Sequence, residues 1–257
     1  MTNELTPTFT YDQIIDVAKK EANKFRPSLP ALPTTQQLKP FLGKMWAVDR
    51  PLIDSLRRHL DQWGVRSPER NYERHLEWVA VRSAYVAASE CDQRGINDSK
   101  LREEIVQRAW RLGLLHDIQA WRGFGPEHQI EGMRAAQQKL SELGIKDKYL
   151  EDQILLHDKL DVEPRNNPAF DIPFFSAFAA DHLVWGLEIE EAIWKNFARR
   201  KMIPTQAIHE YQHTLKLKSS LNLQQTKWGR EVVVPWVNFG VQIAQKVEQT
   251  FATNQGE

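Results

Sequence analysis

His116 and Asp117 stand side by side at the end of a run of apolar residues, and that pairing is the first chemical clue in the chain. The pattern over 99–117 predicts a helix. One stripe, Ile105, Ala109 and Leu112, leads at helical spacing to His116, and the neighbouring stripe, Val106, Trp110 and Gly113, leads to Asp117. A helix apolar on so many sides is buried, so an imidazole and a carboxylate emerge from the interior together. Asp181 is the second clue. Helical spacing sets it among Phe174, Ala177, Phe178, Ala180, Val184 and Trp185, and no Lys or Arg lies between Arg165 and Lys195. Desolvating a carboxylate in such company costs on the order of several kcal/mol unless a metal ion or a basic side chain from elsewhere compensates. Three further histidines sit on similar patterns. His75 opens a stripe through Val79, Arg82 and Val86, His128 shares a face with Gly132 and Ala135, and His157 follows Leu150 and Ile154. Imidazole with carboxylate suits a divalent transition metal (Fe, Mn, Co, Ni or Zn) and disfavours a pure Mg or Ca site.

The elements that must position these residues are helices. Spacing near 3.6 dominates over alternation, and the one run that invites a strand, Val232-Val233-Val234, is followed at once by Pro235. The chain reads as all-α, with helical patterns over 48–63, 69–92, 99–117, 127–143, 147–160, 172–197, 204–217 and 232–251. Residues 1–45 carry Pro7, Pro27, Pro30, Pro33 and Pro40 around one short helical pattern near Tyr11–Lys24, and read as an extended N-terminal arm. The expected organisation is an arm over 1–45, a metal-binding helical domain over 46–200, and a C-terminal helical extension over 201–257 packed on it.

Composition narrows the classes of function. The chain has 257 residues, enough for a sizeable core, and 34 basic side chains balance 34 acidic ones. A zero net charge argues against a general grip on nucleic acid polymers or an anionic membrane. Cys91 is the sole cysteine, which excludes an intramolecular disulfide and a Cys-rich zinc site. No basic stretch followed by an apolar one opens the chain, and the most apolar segment, Phe170–Leu187, is interrupted by Asp171, Pro173, Asp181 and His182. The expectation is a cytoplasmic protein; the sequence specifies no oligomeric state.

The order His75, then Leu112-Gly113-Leu114-Leu115-His116-Asp117-Ile118, then Ala179-Ala180-Asp181-His182-Leu183 resembles the HD-domain superfamily of metal-dependent phosphohydrolases. Arg74-His75-Leu76-Glu77-Trp78-Val79 is similar to that family's first-histidine helix. Glu127-His128-Gln129-Ile130-Glu131-Gly132 resembles its His-x-x-x-Gly element, and Ile154-Leu155-Leu156-His157 its next histidine helix. The likeness covers about residues 70–190. It implies an HD-type helical bundle in which His75, His116, Asp117 and Asp181 hold a first metal, while His128 and His157 hold a second with Asp117 as the bridge.

The resemblance implies a small phosphorylated metabolite or nucleotide as substrate, hydrolysed by a metal-activated water that Asp117 orients or deprotonates. Arg82, two turns from His75 on the same face, is the first candidate to grip phosphate, ahead of Arg122, Lys159 and Arg165. Gln119 and Ala120 stand where the family commonly has Gly-Lys, which removes a lysine suited to phosphate. The same six ligands with iron would serve an HD-type oxygenase acting on a small hydroxylated substrate, and a non-catalytic module is a third alternative. Plainer expectations cover the rest. His59, after Arg57 and Arg58, reads as a surface residue. His182 points away from the site, and His209 and His213 lie on a solvated face. Trp78, Trp110 and Trp185 read as core, Trp121 as pocket rim, and Arg199-Arg200-Lys201 as an exposed helix end.

Overall fold

The computed structural model describes residues 9–62, 72–119, 127–218 and 220–253, and it is all-α, with eleven α-helices and no strand among the described residues. In chain order they are α1 (Tyr11–Phe25), α2 (Thr35–Val48), α3 (Arg50–Gln62), α4 (Tyr72–Gln93), α5 (Ser99–Leu115), α6 (His128–Glu142), α7 (Lys148–Leu156), α8 (Pro168–Leu187), α9 (Ala192–Arg199), α10 (Pro204–Lys218) and α11 (Val234–Thr253). No helix among them is long and apolar enough to cross a membrane.

Local chemistry sets most of the starts. Thr10 with Gln13 and Thr34 with Gln37 form capping boxes on α1 and α2, while Asp98, Asp147 and Asn167 accept from the first amides of α5, α7 and α8. Several expectations need correcting. The Pro-rich segment does not run extended throughout: α2 forms across Pro40, which has no N–H to give the carbonyl of Gln36 four residues back. Val232–Val234 is helical, continuing a wide helical turn over Gly229–Val233 into α11. The single helix expected over 172–197 breaks at 188–191 into α8 and α9. Gly186 lies in the last turn before it. Ile189, Ile193 and Trp194 turn into the core there, and Glu190 and Glu191 pair with Arg26 and Lys19 from the α1 region.

Buried side chains form two clusters. One is built from α2 to α7 and the first half of α8, through Ala177; the other from Phe9, α1, the second half of α8 from Phe178 onward, and α9 to α11. They meet inside α8. Gly113 brings α5 onto α4 so closely that a Cβ there would lie 2.5 Å from Cα of Ala80. Arg108 reaches from α5 to Asp147 at the start of α7 (2.7 Å) and to the Ala169 carbonyl of α8 (2.6 Å). Arg111 holds Asp49, between α2 and α3, through a forked pair of bonds. From the other cluster the buried Asn222 donates to the Lys159 carbonyl (2.7 Å) and accepts from the Val162 amide (3.1 Å), pinning the chain just after His157.

Candidate metal centre

Five helices deliver the proposed ligands to one place. His75 lies in the first turn of α4, His116 caps the C-terminus of α5 with Asp117 next, His128 opens α6, His157 caps the C-terminus of α7, and Asp181 lies in α8. One oxygen of Asp181 is 3.4 Å from Nε2 of His75 and 3.6 Å from Nε2 of His116, whose Nε2 is 3.7 Å from Asp117. Asp117 then reaches Nε2 of His157 at 3.1 Å. Ligand atoms of His75, His116 and Asp117 lie within 4.8 Å of one another, as do those of Asp117, His128 and His157. Ligands about 2.1 Å from one ion sit roughly 3–3.4 Å apart at adjacent octahedral or tetrahedral positions, and the contacts of 3.1–3.7 Å above are near that spacing. Asp117 belongs to both.

The donor set fits a metal on a further observation. His116 and His157 hold their rings alike: Nδ1 donates to the carbonyl three residues back, Gly113 at 2.9 Å and Ile154 at 2.6 Å. A carbonyl only accepts, so Nδ1 carries a proton in both rings, and loss of the other ring proton leaves the Nε2 lone pair for an ion, the arrangement that second-shell carbonyls impose on metal-bound histidines. Nε2 of His116 is buried with no hydrogen-bond partner. Both rings also sit at helix C-termini, where the partial negative charge favours a cation.

The electrostatics follow from that crowding. Burial pulls the His116 imidazolium down, but Asp117 and Asp181 outweigh it and hold its pKa up at about 9. Burial would raise the Asp117 carboxyl, and the neighbouring imidazoles of His116 and His157 overcome that and hold it below its usual value. Beside His116, His157 and Asp181 lies a cavity of about 10 Å³, room for one water-sized group, walled by Leu112, Phe174, Ala177 and Phe178.

Not every candidate joins this group. Arg82 is buried (4% exposed), with its guanidinium 4.0 Å over the Trp78 ring; burial lowers its pKa to about 10 against the pull of Glu188, and it does not line the cavity. Arg165 lies over Phe170 and pairs with Asp152, and Lys159 is exposed. Arg122 and Trp121 fall outside the described residues. His59 is not at the surface: it is buried (9% exposed) on the Leu52–Leu56–Leu60 side of α3, 3.4 Å from Gln119. Trp78 is not core. It is 41% exposed, flanked by Arg74 and Arg82. His182 is buried against the Phe178 ring, Trp110 is fully buried, and His209 and His213 are exposed.

Sequence reasoning missed Asp158, whose carboxylate is 2.8 Å from Nε2 of His128 and 3.7 Å from Nε2 of His157. The available signal was a repeated tetrapeptide: Leu155-Leu156-His157-Asp158 copies Leu114-Leu115-His116-Asp117.

No family model, curated protein or solved structure matches the chain. What the centre can do therefore rests on its side chains. They offer imidazole and carboxylate ligands in two adjoining groups sharing one carboxylate, with Nε2 lone pairs set by backbone carbonyls.

Proposed function

We propose that the chain is an HD-type metal-dependent phosphohydrolase that holds one or two divalent transition-metal ions and cleaves a small phosphate ester, such as a nucleotide or another phosphorylated metabolite. The observation that carries this reading is Asp117, a carboxylate common to both ligand groups. His75, His116, Asp117 and Asp181 would hold the inner ion, and Asp117, His128 and His157 the outer one. Bound ions of this kind lower the pKa of a coordinated water from about 15.7 toward roughly 7 and neutralise phosphate oxygens. The chain's own part is to orient. Asp117, held ionised between His116 and His157, is placed to accept a proton from that water, while the apolar wall of Leu112, Phe174 and Phe178 keeps bulk water away from the inner ligands.

The test is a panel of phosphorylated metabolites assayed with Mn, Fe, Co and Ni, following phosphate release. Release that needs both a metal and Asp117 supports the reading; release unchanged in Asp117→Ala, or absent with every metal and substrate, overturns it. One observation favours a second reading, an iron-dependent oxygenase of a hydroxylated substrate: no Lys or Arg is among the described residues that line the cavity beside His116. Oxygen consumption by the iron-loaded protein with polyol substrates, without phosphate release, would select it.

A further inference from the structure

The two ligand groups differ in number of carboxylates, and that difference points to a residue outside the set expected from sequence. The inner group has two imidazoles and two carboxylates. The outer group, as expected, has two imidazoles and only the shared Asp117. Asp158 lies beside this group, one carboxylate oxygen 3.7 Å from Nε2 of His157 and the other 2.8 Å from Nε2 of His128. Gln129, beside His128, donates to the same Asp158 oxygen at 3.3 Å, a contact that orients the carboxylate. The local frames are also copies. Both Leu-Leu-His-Asp segments end a helix, both histidines lock Nδ1 on the carbonyl three residues back, and in each the carboxylate follows directly.

Resting on the two-ion reading, we propose that Asp158 is a protein ligand of the outer ion, completing a set of Asp117, His128, His157 and Asp158. Without an ion its carboxylate pairs with His128; with one, both turn their lone pairs to the metal. A third carboxylate also reduces the excess positive charge that two divalent ions would leave beside Asp117 and Asp181 alone. Asp158 is the most exposed of the ligands, at 36% for its side chain against 4–25% for the others.

The experiment is a metal titration of the apo-protein with Co(II), read by calorimetry and by the visible absorption of the bound ion, on the wild type, Asp158→Asn and Asp158→Glu. In the wild type two ions bind per chain. Asp158→Asn is expected to keep the inner ion and weaken the outer one by more than about 100-fold, beyond the range for loss of an outer-shell partner, with a changed outer-site absorption band. Asp158→Glu, which keeps a carboxylate, is expected to restore part of that affinity, and circular dichroism checks that both variants fold. Two ions held by Asp158→Asn at wild-type affinity, or a weakening of only about 10–100-fold with an unchanged band, would overturn the ligand assignment and leave Asp158 a positioning residue. A wild-type chain that binds one ion or none overturns the two-ion reading itself, an outcome visible before any variant is made.

Discussion

The inner and outer halves of the candidate centre use the same ligand chemistry on unequal supports. The inner half is carried by α4, α5 and α8, long helices in direct contact, with Gly113 letting two backbones nearly touch. The outer half rests on the first residue of α6 and the last turn of α7, a nine-residue helix, and its carboxylate Asp158 is partly in solvent. Preorganised ligands bind with less loss of freedom, so the inner half should bind first and tightest. The difference teaches that ligand identity alone does not rank two metal positions; the rigidity of what carries the ligands does.

Asp117→Ala should erase the comparison altogether. Because this carboxylate serves both halves, elemental analysis of protein purified without added metal should find neither ion, and a chain retaining wild-type metal would contradict the shared role. Gly113→Ala should damage the inner half. The new methyl meets the Ala80 backbone, which cannot move aside as a flexible side chain would, and the strain should cost about 1–3 kcal/mol in chemical unfolding and weaken the first ion more than the second. Asn222→Ala should do the converse. It strips the buried partners from the Lys159 carbonyl and the Val162 amide, at about 1–3 kcal/mol, and loosens the chain after Asp158, so the second ion should suffer more.

A further effect is with pH. His116 keeps its proton up to about 9 in the folded apo-protein, against 6.5 for the ordinary group. Its contribution to stability is complete below 6.5, where both states carry the proton, and is lost as pH rises through about 9. Thermal unfolding of the apo-protein should therefore show a declining midpoint across that window, and His116→Gln should flatten the decline; an unchanged slope would mean the inner carboxylates do not hold that proton.

Much of the centre was legible because helical spacing is a local property. The stripes leading to His116, His157 and Asp181 could be read without knowing the packing, and the structure brings those residues together. What could not be read was set by tertiary contact. The break after α8 follows Gly186, and Ile189 and Trp194 beyond it pack into the second cluster. His59 was misjudged from its sequence neighbours Arg57 and Arg58, although Leu52 and Leu56, on its own helix face, pointed inward. Helical spacing puts Trp78 at a core position, whereas in the structure its ring is exposed between Arg74 and Arg82. Asp158 carries a sequence signal, the second Leu-Leu-His-Asp, but its contact with His128 depends on how α6 packs.

The passage of α8 through both hydrophobic clusters has a practical consequence for anyone dissecting this chain. Phe178, Ala179 and Leu183, flanking Asp181, belong to the cluster they share with α1 and the helices beyond 190. A fragment trimmed to the ligand-bearing region would leave those side chains bare on the same helix that must present Asp181, inviting aggregation. The far half is a splint for one carboxylate, and the two halves should melt in a single transition.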